Sequence, residues 1–176
     1  MFSIEVDSET KLALTMPYMA EEIFELVDRN REHLSKWMGW LDATKEPKDT
    51  REFIESCLKD LSKENLILCS IVYKGRIVGN IDLHSIERKN KKASIGYWLD
   101  KEANGKGIMN KCVKRVCEYA FSKLGLEKIV IECDVENYKS CAVAKRAGFI
   151  KEAMLKRHLV VNEQSRDFNI YALFKE

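Results

Sequence analysis

Ser94-Ile95-Gly96-Tyr97-Trp98-Leu99-Asp100 reads as a β-strand, and Asn104-Gly105-Lys106-Gly107-Ile108-Met109-Asn110 follows it into an amphipathic helix running from about Ile108 to Lys123. A glycine-rich turn that opens a helix leaves unpaired backbone N–H groups at the positive end of the helix dipole. Such an end suits a phosphate or pyrophosphate, and glycine removes the Cβ atoms that would keep an anion away. Two common phosphate-binding designs do not fit. The dinucleotide fingerprint needs a third glycine where Asn110 stands, and the nucleoside-triphosphate loop needs Ser or Thr where Gly107 follows Lys106. By spacing alone, an ordinary strand-to-helix turn is the better reading.

Downstream of this unit, Lys128 to Val135 reads as a strand, and Asn137 can cap a short helix to about Arg146 that Gly148 stops. Ala153–Val161 and Arg166–Phe174 read as two strands joined at Asn162-Glu163. Upstream, Lys92–Leu99 is preceded by Leu66–Tyr73 and Arg76–Leu83, with a turn at Lys74-Gly75. Nearer the N-terminus, Lys11–Thr15 reads as a strand and Ala20–Asn30 as a helix presenting Ile23, Phe24 and Val27. Asp49-x-x-Glu52 resembles a capping box, after a breaker at Pro47, for a helix carrying Phe53, Ile54, Cys57, Leu58 and Leu61. Trp37 and Trp40 are expected in the core rather than in a cleft. Helices, a hairpin and then β-α-β-α-β-β suggest an α/β domain on a central mixed sheet, with the ligand at the carboxyl end of a strand.

At 176 residues, 45% hydrophobic and 33% charged, the chain is expected to be one domain spanning residues 1–176. The acidic start from Met1 to Lys11 does not read as a signal peptide, and no run approaches the ~18 apolar residues of a membrane span. Six scattered cysteines without C-x-x-C spacing are expected to be free thiols, which suggests a reducing cytoplasm. His33, His84 and His158 lie far apart in sequence, so no metal is expected. The net charge of +2 does not forecast nucleic-acid binding, and Arg88-Lys89-Asn90-Lys91-Lys92 reads as a solvated turn.

Several motifs together resemble the Gcn5-related N-acetyltransferase (GNAT) superfamily. Within it, the resemblance is to the ribosomal-protein N-terminal acetyltransferases that modify serine or alanine. Asn30-Arg31-Glu32-His33-Leu34-x-x-Trp37-x-x-Trp40-Leu41 looks like that group's opening signature, and Ile95–Leu99 like its fourth strand. Asn104-x-x-Gly107-x-Met109 occupies the superfamily's pyrophosphate loop, and Asn137-x-x-Ser140 with Gly148-Phe149 fits the next motif. There are departures. Asn104 replaces Gln or Arg, Met109 replaces a small residue, Ser94 stands where relatives sometimes carry an acid, and Ala144 stands where a tyrosine is frequent.

The resemblance implies a mostly antiparallel twisted sheet, flanked by helices and splayed between the fourth and fifth strands, with acetyl-coenzyme A as donor. The pantetheine arm would pair with backbone in the splay, near Trp98 and Leu99, and a Leu99 N–H would hold the thioester oxygen. Backbone N–H groups of Gly105, Lys106, Gly107, Ile108, Met109 and Asn110 would grip the pyrophosphate. Lys106 adds charge or is simply solvated; Asn137 holds the arm, caps its helix, or both. Ser140 would donate to the departing sulfur. Asp82, Glu132 and His84 are candidates for the base, and Cys141 has no histidine in its motif to make it a nucleophile.

The acceptor implied is a protein N-terminal α-amine, with a polyamine or aminoglycoside as the alternative. Dispersed acidic residues argue mildly against such cationic small amines. A coenzyme A-binding sensor without turnover is a further alternative. The sheet edges and β-rich tail suggest a homodimer.

Overall fold

The computed structural model describes residues 2–176. Its strands are β1 (Ser3–Glu5), β2 (Thr10–Leu14), β3 (Ile67–Tyr73), β4 (Arg76–Glu87), β5 (Lys92–Leu99), β6 (Lys128–Asp134), β7 (Ile150–Val161) and β8 (Gln164–Phe174). The helices are α1 (Ala20–Arg29), α2 (Arg31–Leu34), α3 (Pro47–Ser62), α4 (Ile108–Ser122) and α5 (Tyr138–Arg146). All eight strands form one sheet in the order β1-β2-β3-β4-β5-β6-β8-β7. Every neighbouring pair is antiparallel except β5 and β6, which are parallel and joined by the crossover helix α4.

The β5–β6 pairing stops after Lys92↔Lys128, Ala93↔Ile129 and Ser94↔Val130. Beyond Ser94 the two strands diverge, which is the expected splay. An additional strand at the N-terminus, Ser3–Glu5, shifts the count by one. Three residues are too few to show a two-residue period, so the sequence carried no sign of it.

Apolar side chains fill both faces of the sheet. On one face α4 packs Ile108, Val113 and Ala120 against Ile71, Ile95 and Ile129. On the other, α1 and α3 place Ile23, Leu26, Val27 and Ile54 over Ala13, Val72 and Ile77. Cys57, Cys112, Cys117, Cys133 and Cys141 are buried free thiols, and Cys69 is half-buried and free.

The start of α3 corrects the expected capping box. Glu46 is the cap, Pro47 is the first helical residue, and the Asp49 carboxylate accepts from the N–H groups of Lys45 and Glu46. Pro47 therefore opens this helix: its missing N–H would be unpaired in the first turn in any case, and its fixed φ suits a helix start.

Candidate active site

Past Ser94, β5 is bonded only to β4. The Asp100 N–H donates to the Val78 carbonyl at 2.7 Å, and in an antiparallel ladder successive residues alternate direction. The polar backbone groups of Asp100 and Trp98 thus turn toward β4, whereas those of Leu99 and Tyr97 turn into the splay. The Leu99 N–H therefore faces the gap beyond the last β5–β6 pair. Trp98 contributes instead through its indole, which packs on the α1–α3 core and lines the cleft.

The loop after β5 is fixed from below. Asp100 is buried, caps the turn Lys101–Ala103 by accepting from the Glu102 N–H, and pairs with Arg29 at 2.7 Å. Its carboxyl is held below the usual carboxylate range by the hydrogen bonds and charge of Arg29, acting against the opposing effect of burial. Asn30 accepts from the Lys101 N–H at 2.9 Å. Gly105 and Gly107 have φ of +78° and +74°, and Gly107 is the left-handed cap of α4. Among the described residues, no hydrogen bond engages the consecutive N–H groups from Gly105 to Asn110.

Open space surrounds both glycines, so their lack of a side chain serves conformation and close approach rather than packing. The Ile108 and Met109 side chains point into the core, leaving their backbone outward. The Asn110 side chain ties α4 to the Val143 carbonyl of α5, and the Lys106 ammonium lies 5.8 Å from the centre of the Tyr73 ring. A Gly107→Ala substitution should raise the KM for acetyl-coenzyme A about tenfold, from backbone strain and a methyl in the anion's place. Steady-state kinetics with the Tm measured alongside would check it.

On the far wall, Asn137 caps α5 by accepting from the Ser140 N–H at 3.1 Å. That fixes Ser140 at the head of the splay. Its Oγ lies 3.0 Å from Tyr97 Oη and 3.3 Å from Cys133 Sγ. Burial raises the Tyr97 phenol well above its ordinary value and pushes the Cys133 thiol up to about 12. Both are therefore neutral, proton-bearing groups at physiological pH. Sequence reading missed this pair, since Tyr97 on β5 and Cys133 on β6 belong to different elements from Ser140 on α5. It dwelt instead on Ala144, which is buried in the core. Cys141 turns away from the cleft, its sulfur 3.7 Å from the Asp134 carbonyl.

The cleft between these walls has a volume of about 360 Å³. Trp37 and Trp40 line it, which corrects their expected place in the core; Trp40 is 42% exposed. The segment that carries them is held by Arg31, whose guanidinium donates to the carbonyls of Leu41 and Thr44. Arg166 of β8 lies 5.9 Å from the Trp37 ring, and Asn162 at the β7–β8 turn donates to the Ser35 carbonyl. The two ends of the chain thus meet across the cleft.

Acidic residues dispersed in sequence converge here, a second correction. Asp82, Glu132 and Asp134 all line the cleft. Each has a basic partner: His84 for Asp82 at 2.5 Å, His158 for Glu132 at 2.9 Å, and Arg166 for Asp134 at 2.7 Å. The bond to Asp82 raises the pKa of His84 against the opposing effect of burial.

A splayed mixed sheet, a helix-capping loop with free N–H groups and a hydroxyl–phenol–thiol cluster facing the gap define an acyl-coenzyme A transferase site. The family model described as an acetyltransferase (GNAT) domain matches residues 14–150, and the chain belongs to this family. It is similar to the putative ribosomal N-acetyltransferase YdaF of Bacillus subtilis (strain 168), at 34% identity over 99% of this chain and 96% of the relative. The solved structure of the microcin self-immunity acetyltransferase MccE, in complex with acetyl-CoA and AMP, superimposes with a TM-score of 0.93 at 34% identity, covering 98% of this chain and 96% of that one. RimL, a ribosomal alpha-N-protein acetyltransferase solved with coenzyme A, gives 0.95 at 26% identity and 98% coverage of both chains. The chain is an acetyl-coenzyme A-dependent N-acetyltransferase. Among the described residues, no helix is long and apolar enough to cross a membrane, and no cluster of His, Cys, Asp and Glu is arranged to hold a metal ion.

Proposed function

We propose that the acceptor is a protein N-terminal α-amine, of the kind RimL is named for. The observation that carries this reading is that every carboxylate lining the cleft is already engaged by a basic partner. No unpaired strong base faces the gap. An α-amine titrates at about 7.7–8.0 and sheds its proton to water near neutral pH, whereas a lysine side chain at about 10.4 would need a dedicated base.

Bound acetyl-coenzyme A supplies a thioester that the neutral amine attacks directly, forming C–N as C–S breaks; the nitrogen gives its surplus proton to water and the coenzyme leaves as a thiolate. The Leu99 N–H polarises the carbonyl, and the Gly105–Asn110 amides hold the pyrophosphate. Ser140 donates to the sulfur while the Tyr97 hydroxyl donates to Ser140 Oγ. A coenzyme thiol with a pKa near 8.5 leaves with only that hydrogen bond. Outside the cleft, β7 exposes Ile150, Met154, Leu159 and Val160 along the sheet edge, a surface suited to a second copy of the chain.

The test is release of coenzyme thiol from acetyl-coenzyme A with free peptides, N-terminally blocked lysine peptides and spermidine. Turnover is expected with free N-termini only, its kcat/KM rising with pH to a plateau above about 8 as the α-amine deprotonates. Faster turnover of spermidine or blocked peptides would move the acceptor to a side-chain or small amine. Tight binding without thiol release from any of them would make the chain a sensor.

A further inference from the structure

Side chains alternate along β5, so Ile95 and Tyr97 join the α4 core while Ser94, Gly96 and Trp98 share the opposite face. Ser94 stands where relatives sometimes carry an acid. The adjacent strand brings a carboxylate to this face instead: Asp82 of β4 pairs with Gly96, and His84 with Ser94. A Cβ built at Gly96 would stand 2.7 Å from Asp82 Oδ2 and 3.3 Å from its Cγ and Oδ1. The carboxylate therefore lies across Gly96, over the strand that borders the gap, in space that any side chain at this position would fill. Asp82 and Gly96 both line the cleft.

One oxygen of Asp82 is committed and the other is open. Oδ1 meets His84 Nδ1 at 2.5 Å, and among the described residues nothing donates to Oδ2. The side chain is 27% exposed, and Oδ2 is not one of the buried polar atoms that lack a partner, so it is reached from the cleft. The other two carboxylates of the cleft differ. Asp134 uses both oxygens, Oδ1 for the Glu136 N–H and Oδ2 for Arg166. Glu132 is held by His158 of β7, across β8 and away from β5.

We propose that Asp82 Oδ2 is the dock for the acceptor's nitrogen, and that Gly96 is the positioning residue that lets the carboxylate lie there. This rests on the N-terminal α-amine reading above. The terminus arrives as an ammonium and donates one N–H to Oδ2. When another of its protons passes to water, that hydrogen bond stays and the freed lone pair is available to the thioester carbon. A hydrogen bond assisted by charge is worth roughly tenfold or more in affinity. His84, holding Oδ1, keeps the second oxygen turned to the incoming group.

The experiment is calorimetric titration of the coenzyme A-loaded protein, which cannot turn over, with an alanyl hexapeptide and with its propionyl analogue, which lacks only the amine. The intact protein should bind the amine form about tenfold more tightly. In Asp82→Ala the ratio of the two Kd values should fall to near unity. Gly96→Ala keeps the carboxylate but pushes it aside; the ratio should fall several-fold while the Tm holds, since the new methyl meets only a movable side-chain end. In both variants the KM for peptide should rise and the KM for acetyl-coenzyme A should stay. A ratio near unity in the intact protein, or one unchanged in Asp82→Ala, overturns the dock while leaving the acceptor class standing. An unchanged ratio in Gly96→Ala alone overturns the part given to the glycine. Turnover of blocked lysine peptides in place of free N-termini overturns the α-amine reading itself.

Discussion

Alanine at Gly79 is expected to destabilise the protein by about 3 kcal/mol or more, lowering the Tm by roughly 6–12 °C for a chain of this length. A Cβ built at Gly79 would run into the backbone carbonyl oxygen of Trp98 and stand 3.0 Å from Leu99 Cα. Neither is a side-chain tip that can swing aside. Gly79 pairs with Leu99 across β4 and β5, next to an irregularity where Ile71↔Gly79 gives way to Val72↔Ile77 on β3. The strain would therefore fall on the stretch of β5 that faces the splay, and acetyl transfer should drop further than the fraction unfolded explains. Gly39→Ala is the control, since nothing lies within 4 Å of a Cβ there and its φ is ordinary. Thermal unfolding of the two variants beside the parent decides the matter. Equal Tm values would mean that the close β4–β5 approach at Gly79 is absent in solution.

Ser140→Ala is expected to lower kcat by about 10- to 100-fold with little change in the KM for acetyl-coenzyme A, the effect of one hydrogen bond to a departing thiolate. The effect is modest because a coenzyme thiol is a good leaving group without full protonation. The backbone should survive the change, since the Asn137 cap is accepted from the Ser140 N–H rather than from its hydroxyl. Tyr97→Phe should cost less by itself, because Tyr97 positions Ser140 through the 3.0 Å contact between their oxygens. Combined with Ser140→Ala it should add almost nothing, as two groups acting through one hydroxyl are not additive. Pre-steady-state thiol release from the single and double variants provides the cycle. Full kcat in Ser140→Ala would remove the hydroxyl from the reaction, and additive losses would give Tyr97 a separate role.

Much of the architecture was legible because it is written in short-range patterns. The Gly-x-Gly turn, the cap at Asn137 and the alternation through Lys92–Leu99 each lie within a few residues, and the structure places elements at those positions. Local patterns also misled. Asp49-x-x-Glu52 satisfies a cap template, yet Glu46-Pro47 makes the actual start, because a proline reads as a breaker unless its position in the first turn is known. Trp37 and Trp40 carry the composition of a core, and hydrophobicity alone cannot separate a core from a cleft wall.

What the amino-acid order determined by itself is most of the longer elements and the glycine turn that opens α4, since periodicity, turn residues and caps act over one or two helical turns. What only the tertiary structure decided is everything that joins distant strands. Ser140, Tyr97 and Cys133 meet because β5 and β6 diverge after Ser94 and Val130. Carboxylates scattered along the chain come together in one cleft, each beside a basic partner. Sheet pairing sets those distances, and pairing depends on contacts between segments tens of residues apart, which no local pattern encodes.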